Sequence, residues 1–322
     1  MKTLRWLLTH FLLISFAAAL RGQQTITSLL AQASQWHDEG HPQAAISILE
    51  PILRNPSEEL SGVQLGVAWN MLGSAYQGAE DYSQARRCYE TSMHILREIP
   101  NARDEYASVL SNMGTLQITV GDISTAKTVI NKSKGLYEQE NDHGGLSAIA
   151  NVLAMFDLTQ KDARGARREI EEAFRQAELA KNLKDSDYAS MYIVKGSVLD
   201  AQGDTQAAIA AFEKSIELWS RKNESNAYII GAAYALRGSA LDKLGDSSHA
   251  ISDIKMALSL FEQTSGRNST AYFKTEIRYA RVLKHAGFKQ EAGQIDKDAQ
   301  NGIAALSRQQ CNGCTISAES FR

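Results

Sequence analysis

The chain has 322 residues, with 34 basic against 37 acidic side chains and a formal charge of −3; this excludes the strongly basic face that nucleic-acid binding requires. Hydrophobic residues make up 43% and mean hydropathy is −0.30, which supports a folded core and excludes both a multi-span membrane protein and a disordered chain. Alanine and leucine dominate, there are four prolines and three cysteines, and the composition reads as all-α with no disulfide scaffold.

Residues 1–22 have the layout of an export signal. Lys2 and Arg5 form a positive start, Trp6 to Leu20 is mostly apolar, and Ala17, Ala18 and Ala19 offer small residues for cleavage, with Gly22 as a second option. The apolar run is about 15 residues, below the ~20 that span a bilayer as a helix. Cleavage is expected, giving a periplasmic or secreted product with no membrane span. The alternative is an uncleaved N-terminal anchor holding an assembly factor at a membrane.

The rest of the chain repeats one pattern. A small residue stands at Ala33, Gly73, Gly114, Ala154, Gly196, Gly238 and Ala280, at intervals of 40, 41, 40, 42, 42 and 42. Twelve residues after each lies an alanine: Ala45, Ala85, Ala126, Ala166, Ala208, Ala250 and Ala292. Between the two marks sits a helix break, glycine in five units and Glu80 or Lys161 in the others. Gly121-Asp122, Gly203-Asp204 and Gly245-Asp246 suit a helix-ending glycine followed by a helix-starting aspartate. Four residues after the alanine comes a large apolar side chain, Leu49, Tyr89, Ile130, Ile170, Phe212 and Ile254, with Asp296 as the exception. Each unit therefore reads as helix, tight turn, helix, with a small residue facing a large one across the pair. Units begin near residues 26, 66, 107, 147, 189, 231 and 273; the array spans 23–306, and a polar tail covers 307–322.

The second unit carries Trp69-x-x-Leu72-Gly73-x-x-Tyr76 followed by Ala85. Here the chain resembles the tetratricopeptide repeat family, and Gly114, Ala126, Gly196, Ala208, Gly238 and Ala250 follow the same spacing. The period, longer than the usual ~34 residues, is similar to that of kinesin light chain repeats. The resemblance implies an all-α solenoid of about seven units wound as a right-handed superhelix, with the first helix of each unit lining a concave groove. It implies a protein or peptide partner and a scaffold or adaptor rather than an enzyme.

Little in the sequence suggests chemistry. His37-Asp38-Glu39-Gly40-His41 lacks the His-Glu-x-x-His spacing of a zinc site and is interrupted by Gly40. Cys311-Asn-Gly-Cys314 lies in the polar tail; it reads first as a local disulfide, with a thiol-disulfide or metal-handling role as the alternative function. No catalytic residue, cofactor or metal site is assigned. Fixed offsets from the small residues place Asn70, Ile118, Asn151, Met155, Leu158, Ile193, Asp200, Asp242, Arg281 and Lys284 on the inferred groove. This expectation has an apolar middle, an exposed acidic pair in Asp200 and Asp242, and a basic end, so that a bound segment would offer an aliphatic anchor and a nearby Lys or Arg.

Overall fold

The computed structural model describes residues 25–56, 60, 62–220 and 226–310. The expected signal at 1–22 and the Cys311–Cys314 pair lie outside these residues. Among the described residues there are fourteen helices and no strands. They form seven antiparallel pairs, each an A helix followed by a B helix. The pairs are α1 (Ile26–Asp38) with α2 (Pro42–Arg54), α3 (Gly62–Gly78) with α4 (Tyr82–Arg97), and α5 (Arg103–Val120) with α6 (Ile123–Glu140). Next come α7 (His143–Thr159) with α8 (Ala163–Ala180) and α9 (Asp185–Ala201) with α10 (Thr205–Ser220). The last two are α11 (Ala227–Lys243) with α12 (Ser247–Thr264), and α13 (Thr270–His285) with α14 (Lys289–Gln310). No helix among the described residues is long and apolar enough to cross a membrane.

After the first unit, each A helix begins three or four residues ahead of the unit start inferred from the small residues. The long period is thus spent on an extra helical turn at the start of each unit, not on a longer loop.

The seven turns share one backbone solution. Gly40, Glu80, Gly121, Lys161, Gly203, Gly245 and Gly287 all lie in the left-handed region, with φ between 59° for Lys161 and 96° for Gly287. Glu80 and Lys161 therefore occupy the glycine position despite carrying side chains. The aspartate that follows caps the B helix: Asp81, Asp122, Asp162, Asp204 and Asp246 each accept a backbone N–H three residues on, at 2.8–3.2 Å. One helix ends and the next begins within two residues, because the left-handed residue stops the first and the carboxylate satisfies an orphan donor of the second. A non-glycine residue in this region costs about 1–2 kcal/mol. Lys161→Gly, at an exposed position, is therefore expected to raise stability by about 1 kcal/mol in a urea titration.

The core follows the small-to-large rule. The seven B-helix alanines are 0–4% exposed, and Leu49, Tyr89, Ile130, Ile170, Phe212 and Ile254 are 0–3% exposed. A Cβ built on Gly73, Gly114, Gly196 or Gly238 would lie 2.6, 2.5, 2.4 or 2.9 Å from Tyr89, Ile130, Phe212 or Ile254 respectively. These distances are far inside van der Waals contact, so the A helix approaches its partner as closely as a bare backbone allows. Leu72 is buried, Trp69 packs against the same cluster, and the Tyr76 hydroxyl donates to Glu50. In the last unit Asp296, where the rule fails, instead accepts a surface hydrogen bond from Gln300 at 2.8 Å. The Cys88 thiol is buried in this core and burial pushes its pKa up to about 12, which makes it an unreactive packing group.

The array also meets itself. Glu80, in the second turn, is 9% exposed and its carboxylate accepts the backbone N–H groups of Thr270 at 2.6 Å and Ala271 at 3.1 Å. It thereby caps the start of α13, five units further on. The first turn does the same on a smaller scale, since a Cβ on Gly40 would meet the Asn226 side chain at 2.8 Å. Asn226 in turn caps α11.

Candidate functional site

Successive A helices pack on one another through the array, whereas packing between successive B helices is at most marginal. The A helices are therefore the inner wall of the curve, and side chains at A-to-A contacts line it. All ten groove candidates lie on A helices. Asn70, Ile118, Asn151, Met155, Leu158, Ile193 and Asp200 are half-buried, and Arg281 and Lys284 are exposed. Ile118 also packs against the cluster around Ile130, and Met155 and Leu158 against the cluster around Ile170. The apolar middle thus shares its surface between core and wall.

A polar ladder runs along this wall. The Asn112 amide donates to Asn70 Oδ1 at 3.0 Å and to Ser74 Oγ at 3.4 Å. The Tyr89 hydroxyl lies 3.3 Å from Ser74 Oγ and donates to Gln77 at 2.9 Å. In the next unit Asn151 breaks the ladder: its Oδ1 is buried and has no hydrogen-bond partner among the described residues.

The expected acidic pair is corrected by the structure. Asp242 is 8% exposed and therefore buried, and its Oδ2 lies 2.8 Å from His285 Nδ1 on the next A helix. Asp200 accepts from Lys243 Nζ at 2.6 Å and from Thr205 Oγ1 at 3.4 Å. Both partners, Lys243 and His285, stand five residues after their own small residue. The two aspartates thus join each unit to the next instead of projecting at a ligand. Offset counting found the carboxylates but missed their partners, because it treats each unit alone while the pairing crosses the unit boundary.

Two further residues escaped the sequence reading, Asn112 and Arg278, each two positions before its small residue. Arg278 is half-buried, and its Nη1 donates to Ser239 Oγ on α11 at 3.1 Å. Burial and then the adjacent Arg281 push its pKa below the usual guanidinium value, with Asp200 opposing. Among the described residues no group of three or more His, Cys, Asp or Glu is placed to hold a metal ion.

Residues 64–139 and 189–218 match family models for the tetratricopeptide repeat, so the chain carries such repeats within an all-helical solenoid. It is similar to the structure of NprR in complex with its cognate peptide NprX, at 13% identity and a TM-score of 0.64, over 99% of this chain and 95% of that one. It is also similar to a Rap protein complexed with competence and sporulation factor, at 12% identity and a TM-score of 0.60, over 88% of this chain and 77% of that one. A third likeness is to BtubC from P. vanneervenii, at 15% identity and a TM-score of 0.50, over 76% of this chain and 94% of that one. At these identities the likeness is one of fold. No curated protein matches the chain.

Proposed function

We propose that this chain is a non-catalytic adaptor that receives a peptide or extended protein segment along its inner wall, and that it does so outside the cytosol after removal of residues 1–22. The observation that carries the reading is Asn151. A buried carbonyl oxygen without a donor costs about 1–3 kcal/mol, and Asn151 precedes the half-buried Met155 and Leu158 by one and two turns on the same A helix, which suits a ligand offering a backbone N–H next to an aliphatic side chain. Two of the fold relatives, NprR and the Rap protein, are seen with a bound peptide or factor, which supports the same use of this fold. The signal-like layout of residues 1–22 supports export.

Selection of a random peptide library on the purified chain tests the binding reading. Asn151→Ala is expected to weaken the selected peptides about tenfold, the worth of one buried hydrogen bond, with little change in melting temperature because the buried Oδ1 it removes has no hydrogen-bond partner among the described residues. Equal binding by Asn151→Ala and by Ile118→Ser would place the site elsewhere. Intact mass of the chain from a secreting host tests export: a product beginning after Ala19 or Gly22 is expected, and a full-length product would overturn cleavage.

A further inference from the structure

We infer that the Glu80 carboxylate is a latch that holds the superhelix closed on itself, and that its release admits a partner segment to the inner wall. The latch is independent of what the wall binds, whereas the admission rests on the wall being the peptide site. Five of the seven turns put glycine at the left-handed position. Lys161, one of the two exceptions, is exposed. Glu80 is the other, with φ 62°, and its side chain is buried. It accepts from Thr270 N at 2.6 Å and Ala271 N at 3.1 Å, the first two donors of α13. Ser269, the residue before that helix, accepts only the third, from Tyr272 N at 3.3 Å. Helix starts are ordinarily capped from their own sequence. Here two donors wait for a carboxylate from five units away, held in a backbone conformation that disfavours any side chain. Backbone strain retained at such a contact points to a role for the contact itself.

The seam that Glu80 closes is otherwise loosely made. Burial and then Glu80 push up the pKa of Tyr82 on α4 and of Tyr228 on α11, so the second turn sits against the starts of α11 and α13. Gly40 and Asn226 add one more close approach. Among the described residues, none of the buried apolar clusters crosses the seam. No helix of the first two units packs along a helix of the last three. Two cavities lie in the seam instead. One of about 290 Å³ separates His37 and Asp38 from the start of α9, and one of about 130 Å³ separates Gly78 and Ala79 from Asn268 and Ser269. Within a unit, by contrast, the helices leave no room for a Cβ on Gly73 or Gly196. A boundary held by polar contacts around voids parts at lower cost than a packed core, so the seam opens while the units stay folded. With the seam shut, the inner wall is enclosed over one turn and a segment reaches it only along the axis. With the seam parted, a segment enters and leaves from the side. The latch therefore acts on the rates of binding more than on its strength.

Two variants release the latch from opposite sides while suiting the local backbone. Glu80→Gly removes the carboxylate and puts glycine where φ is positive. Thr270→Pro removes the N–H at the first position of α13, where proline is well accepted. Ser269 before it is extended, with φ −134° and ψ 153°, as a residue preceding proline prefers. Lys161→Gly makes the same backbone change at an exposed turn and is the control. In X-ray scattering of the purified chain, both latch variants are expected to show a larger radius of gyration than wild type and Lys161→Gly. Hydrogen exchange at Ala271 should be at least about tenfold faster in both, the effect of losing a charge-assisted hydrogen bond. Unchanged scattering in both folded variants would overturn the latch. With a peptide selected from the random library, association and dissociation rates should each rise about tenfold in the latch variants, in step with the open population, while Kd moves far less. Wild-type rates in a variant that scattering shows to be open would overturn admission through the seam. Failure of the folded wild type to select any peptide would overturn the inner-wall reading and the admission with it, and scattering would still decide the latch.

Discussion

Asp253→Ala is expected to cost about 3–5 kcal/mol, the range seen when one partner of a buried ion pair is removed. The Asp253 side chain is 9% exposed and that of Arg237 20%. The pair is bidentate, with Nε to Oδ2 at 2.7 Å and Nη2 to Oδ1 at 2.8 Å. Arg237 also stacks over the Tyr234 ring at 5.1 Å and reaches within 3.8 Å of Glu213 on α10. The pair thus ties α11 to α12 and, through Glu213, to the preceding unit. Removing the carboxylate strands a guanidinium that Glu213, more than half exposed, cannot neutralise. Because units interact mainly with their neighbours, the loss should be uneven along the array. Hydrogen exchange should show α11 and α12 losing protection first, while α3 and α4 keep theirs. A variant with both residues replaced by leucine is expected to recover much of the loss. A loss below about 1 kcal/mol for Asp253→Ala would show that the pair contributes no more than a surface salt bridge.

The fold was legible in the sequence because its constraints are local and repeat at a fixed interval. A glycine or alanine at Ala33, Gly73, Gly114, Ala154, Gly196, Gly238 and Ala280, with an alanine twelve residues on, reports the closest approach of two helices in each unit. That approach tolerates almost no alternative. The turns were legible for the same reason, and even Glu80 and Lys161 could be placed, since the flanking pattern fixes the position where glycine is absent. What could not be read was anything that depends on two units at once. The pairing of Asp242 with His285, the pairing of Asp200 with Lys243, and the contact of half-buried Arg278 with Ser239 are set by the rotation between neighbouring A helices, which no single unit encodes. The capping of α13 by Glu80 is more distant still. It joins positions 190 residues apart, and only the curvature summed over five units brings them together.

Gly196→Leu is expected to cost at least 3 kcal/mol, the upper part of the range for overpacking a filled core. An added Cβ at this position would sit 2.4 Å from Phe212 Cε1, 2.7 Å from Cδ1 and 2.8 Å from Cζ. Phe212 is 1% exposed, and Ala208, one turn before it, is 0% exposed, so the ring has no free volume into which to turn. Relief must come from α9 moving off α10, which would open the core shared with the neighbouring units. Gly196→Ala should already destabilise, by about 1–3 kcal/mol, although alanine is the better helix former. That reversal of sign separates the packing account from a propensity account. Gly135 supplies the control: it lies within α6, and a Cβ there would meet nothing within 4 Å. Gly135→Ala is therefore expected to stabilise by about 0.5–1 kcal/mol. Combining Gly196→Leu with Phe212→Ala should restore part of the loss, because the truncated ring leaves room for the new side chain, and the two costs should then fall short of additive. Strict additivity in that cycle would mean that Gly196 does not face Phe212, and the register of helix pairs inferred for all seven units would fail with it.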